Sequence, residues 1–445
     1  MNERIRIGCG AGFSGDRLEP ALVLLQQANL DYLVLECLAE RTIALAQKRK
    51  RQNPPLGYDP LLERRIELLL PDLIARNVRL ITNMGAANPL AAAEKICGIA
   101  RRLNLSITVA AITGDDVFHL LSGDEKALET GQPLTASGPL VSANAYLGAD
   151  AILPALATKA NIIITGRVAD PSLFLTPLMH EFGWLPDNAD QMGQGTVIGH
   201  LLECAGQLTG GYFADPGMDV PGRKNVPDLA HLGHPFADIL PDGTATFGKV
   251  AGTGGLLTLA TAKEQLLYEV MDPSRYLTPD VVADFTQVRL EEVGPNQVRV
   301  SGGRGQAAPG TLKVSVGYDA GFVGEGEISY AGSKAVGRAQ LAGAIIQERL
   351  RDRFPDLRVD YIGSTSVHRT SFGEYPDPYE IRLRVAGKAS TASMAALVGE
   401  EVEALYTNGP AGGGGARKYV HELVGIVSTL MDRRTITPQL TLFQS

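Results

Sequence analysis

The stretches Ile5-Arg6-Ile7-Gly8-Cys9-Gly10-Ala11-Gly12-Phe13-Ser14-Gly15-Asp16-Arg17 and Tyr32-Leu33-Val34-Leu35-Glu36 decide the fold. An apolar run of strand length enters a glycine-rich turn, a helical stretch follows, and a second apolar run closes the unit. The same texture recurs at residues 79–83, 106–112 and 161–165. Each run is continuous rather than alternating, which suits strands covered on both faces of a parallel sheet. The expected fold class is α/β, an N-terminal parallel-sheet βα domain followed by a smaller α+β domain. In such sheets ligands bind beyond the carboxyl ends of the strands. Those ends carry Gly10-Ala11-Gly12, Glu36, Asn83-Met84-Gly85, Thr113-Gly114-Asp115-Asp116 and Thr165-Gly166-Arg167.

A chain of 445 residues is long for one domain. Near Asp284 the texture changes to alternating strands at residues 287–292, 297–301 and 311–318. The expected division is therefore an α/β domain over 1–283, with the ligand site, and an α+β domain over 284–445. Within the second, the pattern predicts helices over 333–353, 391–405 and 419–430 and strands over 357–363 and 380–386. Helices and Gly/Pro/His-rich loops between about 170 and 280 are not placed.

Composition narrows the function. Hydrophobic residues make up 44% and charged residues 20%, and no apolar run approaches the roughly 20 residues of a membrane span. The first residues read as a strand rather than an export signal, and a cytoplasmic location is expected. Cys9, Cys37, Cys97 and Cys204 are scattered without a CxxC pair, which argues against a disulfide framework. A net charge of -8 argues against a nucleic-acid partner.

Several segments have the residue types that chemistry needs. Gly10 to Gly15 fits G-x-G-x-x-G after a strand, and Glu36 ends the next strand, as in a dinucleotide site. Against this, Asp16 and Glu19 set carboxylates where a pyrophosphate would bind, and Pro20 limits how early the helix starts. A nicotinamide site, a purely structural turn, and a different ligand site offering Asp16 and Arg17 all stay open. Arg167 at a strand end can clamp a carboxylate or phosphate with its planar fork, or pair internally with Asp170. Asp115 and Asp116 can divide acid and base roles, with Asp116 the expected actor, or cap a short helix. His200 and Glu203, spaced i, i+3 on a helix, read as two metal ligands, as a base with its orienter, or as a structural histidine pair. No Cys/His cluster completes a metal set, and His231 and His234 lie in a separate loop. Gly413, Gly414 and Gly415 run into Arg417 before the expected helix at 419, a phosphate cradle or a linker.

Gly8 to Arg17, Leu30-Asp31-Tyr32-Leu33, Asn83 to Pro89, Gly114-Asp115-Asp116-Val117, Asn144-Ala145-Tyr146-Leu147-Gly148 and Ile164 to Asp170 together resemble the acyclic terpene utilisation protein A (AtuA) family. The resemblance continues through Gly199 to Cys204, Gly210-Gly211-Tyr212-Phe213, Gly254-Gly255 and Gln265 to Glu269. It implies a role in growth on terpenes such as citronellol and geraniol, and by association a substrate among branched acyl-CoA esters or small hydroxy or keto acids. It also weighs against a nicotinamide dehydrogenase.

The resulting expectation is an enzyme of lyase or hydratase type acting on a small anionic or CoA-linked acyl substrate. Asp16, Asp116, His200 and Glu203 are its acid/base candidates. Gly10, Gly12, Gly15, Arg17, Asn83, Asn88, Asn144, Arg167 and Asp170 form the substrate-binding set, and Gly413, Gly414, Gly415 and Arg417 the phosphate-binding set. No cofactor beyond a CoA moiety on the substrate is expected, a divalent ion is left open, and the chain is expected to form a homo-oligomer. The alternatives are a non-catalytic ligand-binding or scaffold subunit and, third, an NAD(P)-dependent dehydrogenase.

Overall fold

The computed structural model describes residues 3–215, 224–369 and 377–445. In chain order the elements are β1 (Ile5–Ala11), α1 (Glu19–Gln27), β2 (Tyr32–Leu35), α2 (Glu40–Gln52), α3 (Leu62–Ala75), β3 (Arg79–Thr82), α4 (Pro89–Arg102), β4 (Thr108–Thr113), β5 (Leu140–Ala145), α5 (Ala149–Leu156), β6 (Ile162–Thr165), α6 (Ser172–Phe182) and α7 (Ala189–Glu203). There follow β7 (Pro235–Ile239), β8 (Ala245–Lys249), α8 (Leu259–Leu267), β9 (Tyr276–Leu277), β10 (Val282–Asp284), β11 (Arg289–Gly294), β12 (Gln297–Ser301) and β13 (Arg304–Gln306). The last are β14 (Thr311–Ala331), α9 (Ala335–Leu350), β15 (Arg358–Ile362), β16 (Glu380–Ala389), α10 (Ala392–Asn408), β17 (Gly414–Asp432) and β18 (Gln439–Gln444). No helix among the described residues is long and apolar enough to cross a membrane.

The first compact unit comprises residues 1–134, 141–317 and 426–445. At its centre β1, β2, β3, β6 and β4 run parallel in that order. Leu33 and Leu35, Leu80, Ile162 and Ile164, and Val109 and Ala111 point to one face, into a core filled by α1, α3 and α4. The alternate residues Val34, Ile81, Ile163 and Ala110 are equally buried on the other face. There α5, α6 and α7 pack, which explains why these strands read as unbroken apolar runs. The sheet is mixed rather than purely parallel. Antiparallel β7, β8, β12 and β11 extend it beyond β1, and β18 adds antiparallel to β4.

The second unit comprises residues 135–140 and 318–425. Its sheet runs in the order β15, β16, β14, β17, with residues 322–331 of β14 antiparallel to β16. α9 and α10 cover one face through Ala339, Ile346, Val398 and Val402 against Ile328, Leu383 and Val385.

These units divide differently from the expected boundary at 284. β11 and β12 join the large sheet of the first unit, because alternation identifies a half-buried strand without naming its partner. The expected helix over 419–430 is part of β17. Its apolar residues do recur at helical spacing, but Tyr419, Val420, Val424, Ile426 and Val427 are β-branched or aromatic, and pairing with β14 decides the outcome. Gly413, Gly414, Gly415 and Arg417 therefore face no helix N-terminus, the feature on which the phosphate cradle depended.

Close helix packing brings the site together. A Cβ on Gly199 of α7 would lie 2.7 Å from the Cα and carbonyl oxygen of Pro171, at the start of α6. A Cβ on Gly12 would lie 2.5 Å from the carbonyl carbon of Cys204, just past the end of α7. Glycine normally costs a helix interior about 1 kcal/mol relative to alanine, but overpacking against backbone costs about 1–3 kcal/mol. The second effect wins at Gly199, so Gly199→Ala is expected to lower the unfolding free energy in a denaturant titration. Gly98→Ala in α4, where an added methyl meets nothing within 4 Å, is expected to raise it.

Candidate active site

A cavity of about 1160 Å³ opens at the carboxyl ends of β1, β2 and β6. The Gly12–Arg17 turn, residues 36–40 after β2, residues 167–171 after β6, the end of α7 and the start of β14 line it. The carboxyl groups of Asp16, Glu36, Glu40, Asp170, Glu203 and Glu269 border it, with the cations Arg17, Arg167, Arg275 and Lys313. Phe13, Leu38, Leu232 and Leu312 supply apolar wall.

Arg167 is 1% exposed, and its guanidinium is satisfied from inside. Nε donates to the carbonyl of Val168 at 2.8 Å, Nη1 to that of Leu38, and Nη2 to the Asp170 carboxylate. The Tyr146 ring lies 4.5 Å from its central carbon. The backbone N–H of Arg167 donates to Asp115 at 2.9 Å, and Asn144 donates to the same Asp115 oxygen at 2.9 Å. Of the two sequence readings, the internal Arg167–Asp170 pair is the one observed.

Three carboxyl groups on this wall lie above the usual carboxylate range. Burial is the main cause for Glu36 and Glu203, and the charge of Asp170 adds to both. Burial also raises Asp170, against the pull of Arg167. Glu36 is fixed by N–H groups from Leu38 at 2.8 Å and Asn83 at 2.9 Å. Glu203 Oε1 lies 2.9 Å from His200 Nδ1, while Glu203 Oε2 and His200 Nε2 are buried without hydrogen-bond partners. Burial pushes His200 down to about 4, so its imidazole is neutral beside Glu203. Glu40 goes the other way. Despite burial, hydrogen bonds from Tyr146 at 2.5 Å and Lys313 at 3.1 Å bring it to about 2.

The other expected site residues separate. Asp16 lines the cavity and accepts the N–H groups of Gly12 at 2.6 Å and Phe13 at 3.3 Å, occupying the donors a pyrophosphate would need. Arg17 also lines it and donates to the carbonyls of Leu229 and Ala230. Gly10 packs against Leu35 and Ala21 inside the unit, and Gly15 against the Phe13 ring. Asn83 and Asn144 stand behind the wall, orienting Glu36 and Asp115, while Asn88 ties the 54–56 loop through two carbonyls. Asp116 is exposed, accepts from Gln47 and from the Phe118 N–H, and does not line the cavity. His231 pairs with Asp228 at the surface, whereas buried His234 borders the cavity. Among the described residues no group of three or more His, Cys, Asp or Glu side chains is arranged to hold a metal ion.

Sequence reasoning missed Glu40, Tyr146, His234, Glu269 and Lys313 as site residues. Tyr146 and Glu269 stood within stretches that carry the family resemblance, so those signals were present. Glu269 and Tyr212, both at the cavity, adopt left-handed backbone with φ of 58° and 61°. Such conformations in side chains of this size concentrate at functional sites.

Fold and site together define a mixed α/β protein whose parallel strand ends open on a cavity lined by carboxyl groups, three of them raised by burial. The chain belongs to the acyclic terpene utilisation family protein AtuA, whose family model matches residues 5–442. Membership implies involvement in acyclic terpene utilisation. No curated protein and no solved structure matches the chain.

Buried Asp115 carries a measurable signature. Burial pushes it up to about 6. Between pH ~4 and ~6 the folded chain keeps a proton that the unfolded chain has released, so this group's contribution to stability falls as pH rises, by about 3 kcal/mol in all. His200, depressed to about 4, contributes the opposite slope between ~4 and ~6.5. Urea titrations across this range are expected to show that Asp115→Asn lessens the falling component by about 3 kcal/mol, leaving the share of Asp280, also raised to about 6 by burial, and the His200 component.

Proposed function

We propose that this protein is a cytoplasmic acid–base enzyme, of lyase or hydratase type, acting on a small anionic or CoA-linked branched acyl substrate. The observation that carries the reading is the Glu203–Asp170–Arg167 arrangement. One carboxyl is pushed well above its usual range by burial and keeps an unpartnered oxygen, beside another that is anchored to a guanidinium. Burial raises both carboxyl groups, but the charge and hydrogen bond of Arg167 pull Asp170 back down, and two carboxyl groups in such different surroundings divide into an acid and a base. Glu203 donates a proton through Oε2, His200 fixes its other oxygen, and Asp170 receives the proton removed from substrate or water. The apolar wall around Leu38, Leu232 and Leu312 seats a branched hydrocarbon, and the exposed cations Arg275 and Lys313 attract an anionic group. Addition or elimination of water needs a positioned acid and base. The occupation of the Gly12 and Phe13 N–H groups by Asp16 supports this chemistry over hydride transfer to a dinucleotide.

The test is turnover of branched enoyl-CoA and hydroxyacyl-CoA esters. Glu203→Gln is expected to lower kcat about 100-fold or more with binding retained, the scale of a lost general acid. The activity limb on the alkaline side should follow the raised Glu203 pKa, turnover falling as the proton is lost, and this limb should vanish in the variant. Wild-type turnover in both Glu203→Gln and Asp170→Asn would overturn the assignment. Ligand binding with no turnover of any such ester would instead indicate a binding subunit.

A further inference from the structure

β17 ends the sheet of the second unit, so its far edge pairs with no strand among the described residues. Every residue from 417 to 422 is exposed, on both sides of the pleat. Tyr419 is 42% and Val420 40% exposed, and on α10 Tyr406, whose hydroxyl accepts the Ala416 N–H at 2.9 Å, is 52% exposed. Bare edges of this kind invite another strand.

We propose that this edge is a homodimer interface, in which β17 of one copy pairs antiparallel with β17 of a second copy about a two-fold axis at Val420. The register follows from symmetry and charge. In a continuous sheet, opposed residues share a face, and side chains along one strand alternate faces. A two-fold axis normal to the sheet must therefore pass between two copies of the same residue. Centred on Val420, it sets Lys418 against Glu422 twice and Tyr419 against His421 twice. Centred on Tyr419, it sets Arg417 against His421 and Glu422 against Ala416. Centred on Lys418 or Glu422, it sets a charge against its own copy. Opposite charges across a strand pair stabilise it and like charges destabilise it. Only the Val420 register places opposite charges face to face, so the occupant that fits this edge is the chain itself.

Charge exchange tests the pairing in the full chain. Lys418 and Glu422 are about 13 Å apart along one strand, beyond the screening length of about 8 Å at physiological salt, so they couple weakly within a copy. Sedimentation equilibrium of the wild type is expected to give twice the 47.3 kDa chain mass. Lys418→Glu and Glu422→Lys should each weaken the dimer about tenfold or more, and the exchanged double variant should recover to within about threefold of wild type. The local Lys418–Glu403 ion pair at 2.5 Å gives the single variant a second liability, which exchange at position 422 does not repair. Independently, Val420→Cys should form a disulfide-linked dimer under mild oxidation while Arg417→Cys does not. A monomeric wild type, a dimer that both single variants leave unchanged, or equal cross-linking at 417 and 420 would overturn the proposal.

Discussion

A guanidinium without access to water must find all its partners inside the protein, and the arrangement around Arg167 follows from that requirement. Its donors take the carbonyls of Leu38 after β2 and Val168 after β6 and the carboxylate of Asp170, while Asp115 after β4 accepts its backbone N–H. Loops from three parallel strands are thereby tied to one residue. Taking a charge out of water costs several kcal/mol unless pairing and hydrogen bonds offset it, so these loops cannot move independently. The Tyr146 ring against the guanidinium and its bond to Glu40 extend the same network to the segment after β5.

The second requirement is steric. Glu203 reaches the cavity only because α7 lies against α6 at Gly199 and its end lies against the β1 turn at Gly12, where a methyl group would meet backbone in each case. Close approach buries Glu203, and burial raises its affinity for a proton beside the Arg167-paired Asp170. The left-handed residues Tyr212 and Glu269 store about 1–3 kcal/mol each at the same cavity.

The parallel core was legible because strands buried on both faces leave unbroken apolar runs, and the strand-end rule led directly to Asp16, Arg167 and Asp170, while helical spacing with His200 led to Glu203. The same rule misdirected the choice between Asp115 and Asp116. Neighbouring residues leaving a strand point opposite ways, and nothing local says which turns inward; it is Asp115 that is buried and Asp116 that meets solvent. Lys313, Glu40 and Tyr146 come from distant segments, and their meeting depends on tertiary packing rather than on spacing. β17 was misread because its apolar residues also satisfy a helical period, and the partner strand that settles the matter begins about a hundred residues earlier in the chain. β11 and β12 were assigned to the wrong body for the same reason: alternation shows a strand's exposed face but not its neighbour.

The proposed chemistry rests on Glu203 holding its proton more tightly than Asp170, whose guanidinium partner opposes the effect of burial. Difference infrared spectroscopy of wild type against Glu203→Gln at neutral pH reads that state directly. The expected result is loss of a protonated carboxyl C=O stretch, which shifts on deuteration, with the Asp170 carboxylate bands unchanged. Loss of ionised carboxylate bands alone would show Glu203 charged and would contradict the acid–base reading of the cavity.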